Sequence, residues 1–164
     1  MADQSPAGKS AVQRGYGDSE PALEQQELKF AHEIMTSPVN SIDAQTPMSE
    51  VNLIFTSKRF RHLPVVSTGQ DLVGLISDRD TLRFNAAAVL EKKDPSKVNV
   101  SEIMVTGILT ATPDTLIRDL ARIMFEERIG SLPIVDSRLG LVGIVTRSDI
   151  LRALLKHGPL RLWA

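Results

Sequence analysis

Ser77-Asp78-Arg79-Asp80 and Thr146-Arg147-Ser148-Asp149 close two matching stretches, GLISDRD from Gly74 and GIVTRSD from Gly143. A hydroxyl and a carboxylate three residues apart do complementary chemistry when the first ends a strand and the second lies in the first turn of a helix. The unpaired N–H groups and partial positive charge of that helix end suit a phosphate, to which Thr146 or Ser77 adds a hydroxyl hydrogen bond. The two acceptor oxygens of Asp149 or Asp80 match the adjacent hydroxyls of a ribose. Arg147 and Arg79 supply charge-assisted donors to the phosphate. Phosphate and ribose together make a nucleotide. A local role fits the same residues, the hydroxyl capping the helix and the aspartate complementing its dipole. Recurrence at the same offsets, each time beside a glycine that lets another group approach the backbone, brings the binding reading level with the local one.

The elements that position these motifs follow from a repeat. Ile34-Met35 recurs as Ile103-Met104, Leu63-Pro64 as Leu132-Pro133 and Gly74 as Gly143, each pair 69 positions apart (34 to 103, 63 to 132, 74 to 143) and without insertion over 33–84. Two copies are too few for a solenoid and predict two units packed face to face. In the second copy GILTATP predicts a short strand, and Asp114 or Thr115 caps a helix with Leu116, Ile117, Leu120, Ile123 and Met124 on one stripe. SLPIVDSRLGLVGIVT reads as a hairpin turning between Asp136 and Gly140. The last helix, after Thr146, ends at Gly158-Pro159. The order is β-α-β-β-α, and the first copy repeats it over 41–44, 47–58, 62–67, 71–77 and 79–90. The domain organisation is a flexible tail over 1–22 and a first copy over 23–90, led by a helix from Leu23 that stops before Ser37-Pro38. A polar linker over 91–101 broken at Asp94-Pro95, a second copy over 102–156 and a tail over 157–164 follow. In that last tail Leu160, Leu162 and Trp163 would be exposed unless docked.

Composition removes several function classes. A chain of 164 residues, 42% hydrophobic, buries its own core, and a net charge of -1 with mixed signs presents no cationic face for nucleic acid. Five Phe, one Tyr and one Trp supply little for base stacking. With no cysteine there are no disulfides, thiolate metal sites or thiol nucleophiles. His32, His62 and His157 fall on separate elements with no second ligand at metal spacing, so no metal site is predicted. No Ser, His and Asp set is placed together by the repeat, so the chain reads as no enzyme. No apolar run approaches the roughly 20 residues of a membrane span, and no secretory signal pattern opens the chain, so the expected location is cytoplasmic.

The sequence resembles the cystathionine-beta-synthase (CBS) domain family in EIM at the head of each copy, HLPVV and SLPIVD, and the closing GLISDRD and GIVTRSDIL, over residues 33 to about 155. The resemblance implies an α/β fold, two β-α-β-β-α repeats packed as one pseudo-twofold (Bateman) module with two clefts. It implies a regulatory protein that needs no cofactor and binds an adenosine ligand, AMP, ADP or ATP first, NAD or S-adenosylmethionine as further possibilities. The family's phosphate-contacting hydroxyl falls on Thr146 and Ser77 and its ribose-binding aspartate on Asp149 and Asp80. Adenine is then expected against the leading loop of the other copy: Met35 to Asn40, including Pro38 and Val39, facing Asp149, and Met104 to Leu109, including Ile108, facing Asp80. A basic residue before the LP strand points Arg61 at a phosphate, whereas the second copy has Gly130-Ser131 there. Ser77 replaces the commoner Thr and Asp78 adds a repelling carboxylate, so the cleft of Thr146, Arg147 and Asp149 is expected to be the stronger. The last helix of each copy carries apolar residues on more than one face, Leu82, Phe84, Ala87, Val89 and Leu90, then Ile150, Leu151, Leu154 and Leu155, which predicts a homodimer. A client protein would read the occupancy. The rival reading is a ligand-free dimerising scaffold whose doubled motif only caps helices.

Overall fold

The computed structural model describes residues 28–157 apart from positions 59, 137 and 139. The first copy runs β1 (Ile42–Asp43), α1 (Met48–Ser57), β2 (His62–Val66), β3 (Leu72–Ser77) and α2 (Asp78–Glu91). The second runs α3 (Ile117–Glu126), β4 (Ser131–Val135), β5 (Leu141–Thr146) and α4 (Arg147–His157). Strands β1-β2-β3 form one sheet, with β1 parallel and β3 antiparallel to β2. β4 and β5 form the matching hairpin: His62 lies opposite Ser77, and Ser131 opposite Thr146. Both hairpins slip register at the same place, after Val65 and after Ile134, because an extra residue on the partner strand is left unpaired. The chain is α/β with a repeated architecture, β-α-β-β-α in the first copy and α-β-β-α in the second, where the leading strand is reduced to a bridge.

Each copy has its own apolar cluster, and the leading segments are exchanged between them. Ala31, fully buried, belongs to the cluster of Leu120, Leu132 and Val145, with Ile34 and Met35 packed against it. Val100, its counterpart 69 positions on (31 to 100), belongs to the cluster of Val51, Leu63 and Ile76. Burying Val100 contributes about 1.5–3 kcal/mol and the single methyl of Ala31 about 0.8 kcal/mol, so each lead is held by the copy that does not follow it. Backbone hydrogen bonds repeat the exchange: Ala31 N donates to Thr115 O at 2.8 Å and Ile117 N to Lys29 O at 2.9 Å, while Val100 N donates to Thr46 O at 2.9 Å and Met48 N to Val98 O at 2.8 Å.

Three local expectations are corrected, and the polar linker is described in more detail. Where a leading helix was expected, residues 28–36 make one 3-10 turn, Ala31–Glu33, because their N–H and C=O groups are committed to the second copy; residues 23–27 lie outside the described region. The polar linker is ordered packing: two 3-10 turns, Pro95–Lys97 and Val100–Glu102, dock it on the first copy. The strand in GILTATP is a single parallel bridge, Ala111 to Ile134. Ala44 N donates to Val66 O in the first copy, and its counterpart (44 to 113) is Pro113, which has no N–H to extend the ladder. Finally, α3 starts after Leu116 without a side-chain cap, since the Thr115 hydroxyl accepts from Thr112 N at 3.0 Å instead. The expected stop at Gly158-Pro159 and the tails with Trp163 lie outside the described residues.

Candidate nucleotide-binding site

Both doubled motifs sit where a strand turns into a helix. Ser77 ends β3 and Thr146 ends β5; Asp80 and Asp149 are the third residues of α2 and α4. In the second copy Asp149, 6% exposed, takes Thr146 N at 2.9 Å and Thr146 Oγ1 at 2.6 Å on Oδ2, and Arg152 Nη1 at 2.7 Å on Oδ1. In the first, Asp80 Oδ2 accepts from Ser77 N at 3.1 Å and Ser77 Oγ at 2.5 Å, while Arg83 stands 3.7 Å from Oδ1, an ion pair without a hydrogen bond. Each hydroxyl thus gives its proton to the aspartate, which is the local capping chemistry.

The helix ends differ in what they leave open. Asp78 N donates to Arg61 O, Arg79 N to Asp78 Oδ1 and Asp80 N to Ser77 Oγ, so the first turn of α2 is satisfied. In α4 Arg147 N donates to Gly130 O at 3.2 Å, whereas the N–H groups of Ser148 and Asp149 have no partner among the described residues. The Ser131 hydroxyl, on a residue 3% exposed and directly opposite Thr146, is also without a partner among the described residues. The Arg147 guanidinium is tied to the end of α3, Nε to Ile129 O at 3.0 Å and Nη2 to Met124 O at 3.4 Å. Reaching a phosphate requires it to leave those carbonyls. Arg61 and Arg79 are exposed.

The repeated glycines admit the leading segment of the other copy. A Cβ at Gly143 would lie 2.6 Å from Met35 Sδ, and one at Gly74 2.5 Å from Met104 Sδ. Thr36 pairs with Ile144 and Val105 with Leu75, and Ser37 Oγ donates to Val142 O at 2.9 Å. The chain then enters Pro38, Val39 and Asn40 from β5, the strand that ends at Thr146, and Ile108 follows from β3, which ends at Ser77. The Ser37-Pro38 peptide is cis.

Three features escaped the sequence reading. Arg83 and Arg152 follow their aspartates by three residues in both copies, a spacing visible in the repeat. The Glu of each EIM is a clamp: Glu33 Oε2 accepts from Phe30 N at 2.7 Å and Glu102 Oε1 from Asn99 N at 2.9 Å. His62 meets the second copy, its Cε1 2.9 Å from where a Cβ on Gly130 would stand. Burial pushes the His62 pKa down; Asp78 and Asp80 oppose this, and Arg61 and Arg147 add to it. An open cleft of about 500 Å³ runs along α2 from Asp80 to Glu91, its wall mixing Phe84, Ala87, Ala88, Val98 and Ile103 with the charged Arg83, Glu91, Lys93 and Glu102. Among the described residues no group of three or more His, Cys, Asp or Glu is placed to hold a metal.

The CBS domain pattern matches residues 31–87 and 100–156, the two copies with their exchanged leads. The chain belongs to the CBS domain family. It is 36% identical over 100 residues to protein MJ1225 of Methanocaldococcus jannaschii, covering 57% of this chain and 35% of that one, so it spans about a third of that relative's length. Among solved structures, CBSX2 in complex with AMP superposes with a TM-score of 0.67 at 29% identity, covering 77% of this chain and 96% of that one. The CBS domain pair of MJ0100 in complex with 5′-methylthioadenosine and S-adenosyl-L-methionine gives a TM-score of 0.65 at 29% identity, covering 76% and 94%. CBS-pair modules of this kind are regulatory rather than catalytic.

Proposed function

We propose that this chain is a regulatory module that binds an adenine nucleotide, AMP, ADP or ATP, at the α4 N-terminus and passes occupancy to a partner protein or to its own dimer. The observation that carries the reading is that, among the described residues, the N–H groups of Ser148 and Asp149 and the buried hydroxyl of Ser131, which lies opposite Thr146, have no partner, where the repeat also provides Thr146 and a buried carboxylate. Thr146 and Ser148 N–H hold the phosphate, Asp149 the ribose, and the loop of Pro38, Val39 and Asn40 flanks the base; Ser77, Asp80 and Ile108 make the second cleft. Arg61, Arg79 and, after leaving α3, Arg147 supply positive charge. AMP bound to CBSX2 and the two adenosine ligands bound to MJ0100 lend support through structural likeness.

The same reading has the module act as a homodimer in the cytoplasm. Leu82, Val89, Leu90, Leu151 and Leu155 lie exposed on the last helices of the two copies, apolar surface that a second copy would cover. The scaffold alternative draws on the capping bonds of Ser77 and Thr146, which satisfy the motif without any ligand. A thermal-shift panel of AMP, ADP, ATP, NAD and S-adenosylmethionine separates the two. Ligand at 100 times its Kd stabilises the fold by about 2.7 kcal/mol, roughly 5–10 °C for this size; no shift with any of them at millimolar concentration favours the scaffold.

A further inference from the structure

The helices of the two copies make two layers, α1 beside α2 and α3 beside α4. In the first layer the side-chain amides of Asn52 and Asn85 bond each other between the helices at 3.0 and 2.9 Å. Their counterparts in the second layer (52 to 121, 85 to 154) are Ala121 and Leu154, packed on the apolar cluster of that copy. Beside this line each layer leaves apolar surface exposed: Leu53 and Leu82 in the first, Phe125, Leu151 and Leu155 in the second. The layers share one exposed leucine, Leu82 and Leu151 (82 to 151), and differ in relief around it. Phe125 and Leu155, 83% and 88% exposed, stand where the first copy has Thr56 and Ala86 (56 to 125, 86 to 155), which are exposed as well. The second layer carries bulk where the first is hollow.

That relief decides how two copies of the chain fit together. Both layers belong to one module tied by the exchanged leads, so a twofold pair that uses both layers must close both contacts at once. The spacing of facing helices follows the side chains between them. Like against like sets the layer of Phe125 and Leu155 against itself in one contact and the layer of Thr56 and Ala86 against itself in the other, so the first is overpacked and the second holds gaps. Unlike against unlike makes the same contact twice, with bulk facing hollow in each. We propose that the chain pairs with a second copy in this unlike arrangement, the α1/α2 layer of each against the α3/α4 layer of the other. The inference rests on the homodimer reading above and goes beyond it in assigning which surfaces meet. Each contact then joins a first copy to a second copy, so a change in one copy passes to the other copy of the neighbouring chain.

The chain has no cysteine, so introduced cysteines report the arrangement without background. Ala86→Cys and Leu155→Cys fall on exposed positions outside both apolar clusters and retain the fold. Each variant alone, and the two unfolded together in urea and refolded as a mixture, are treated with a short bis-maleimide. The expected result is a band at twice the 18.0 kDa chain mass from the mixture and none from either variant alone, because in the unlike arrangement the two copies of one position lie in separate contacts. A chain carrying both substitutions links to its neighbour and stops at two chains. Self-linking by either single variant, a mixture without the band, or a ladder beyond two chains overturns the arrangement; a dimer mass in light scattering then leaves the homodimer standing. A monomer mass overturns both.

Discussion

Gly74→Ala and Gly143→Ala test the exchange of leading segments that builds both clefts. A Cβ at Gly143 would meet Met35 Sδ at 2.6 Å, Met35 Cγ at 3.1 Å and Thr36 O at 3.3 Å. At Gly74 it would meet Met104 Sδ at 2.5 Å, Met104 Cγ at 2.9 Å and Val105 O at 3.0 Å. The thioether is the flexible end of its side chain and can turn aside, but a carbonyl at 3.0 Å cannot. Val105 is held by Leu75 N donating to Val105 O at 3.0 Å and Val105 N donating to Leu75 O at 2.9 Å, so relief there stretches both bonds. Overpacking costs about 1–3 kcal/mol; Gly143→Ala belongs at the lower end and Gly74→Ala at the upper. At about 2–4 °C per kcal/mol for a chain of this size, the midpoint falls by roughly 2–6 °C and 5–12 °C respectively. Adding Met35→Ala to Gly143→Ala removes the obstacle, so a double-mutant cycle measured by urea unfolding returns a coupling of about 0.5–3 kcal/mol. Both glycine variants unfolding within about 0.5 kcal/mol of wild type, the range of a neutral surface change, or a cycle with no coupling, would show that the leads do not cross.

Asp149→Ala removes the acceptor of three hydrogen bonds on a buried residue and costs about 1–3 kcal/mol by urea unfolding, whereas Asp80→Ala, with a more exposed carboxylate and no bonded arginine, costs about 0.5–1.5 kcal/mol; equal losses would contradict the geometry. Because burial lowers the His62 pKa in the fold, the unfolded chain binds the proton first. Stability is therefore full above about pH 6.5 and declines as the pH falls through that value toward the folded pKa. His62→Gln flattens this part of the profile, and an unchanged slope in thermal scans from pH 7.5 to 5 would refute the assignment. Light scattering should give twice the 18.0 kDa chain mass at micromolar concentration; a monomer mass would remove the dimer.

The positions of the candidate site's side chains at the two strand-to-helix turns were legible because they belong to a gapless repeat. The same offset that pairs Thr146 with Ser77 also pairs the hairpin partners Ser131 and His62, and the hairpins form in that register. What stayed hidden depends on contacts between the copies. Leu23, Phe30 and Ile34 fit a helical spacing, yet the backbone at 29–32 is bonded to residues 113–117, and no local pattern records a partner more than eighty positions away. The linker looks polar by composition, but carrying the offset back from Ala31 to Val100 would have exposed its buried residue. The missing strand of the second copy was written in Pro113. Which hydrogen-bonding groups remain open at each helix end followed only from the geometry, since both motifs offer a hydroxyl, an aspartate and an arginine.

The proposed function places an adenosine phosphate on the α4 N-terminus. Backbone amide NMR of the labelled chain titrated with AMP addresses it directly, because Ser148 and Asp149 carry the N–H groups assigned to the phosphate. Saturable downfield shifts at Ser148 and Asp149 are expected, absent when adenosine replaces AMP. Saturation with AMP that leaves both amides in place, or no saturable change anywhere at millimolar concentration, would contradict it.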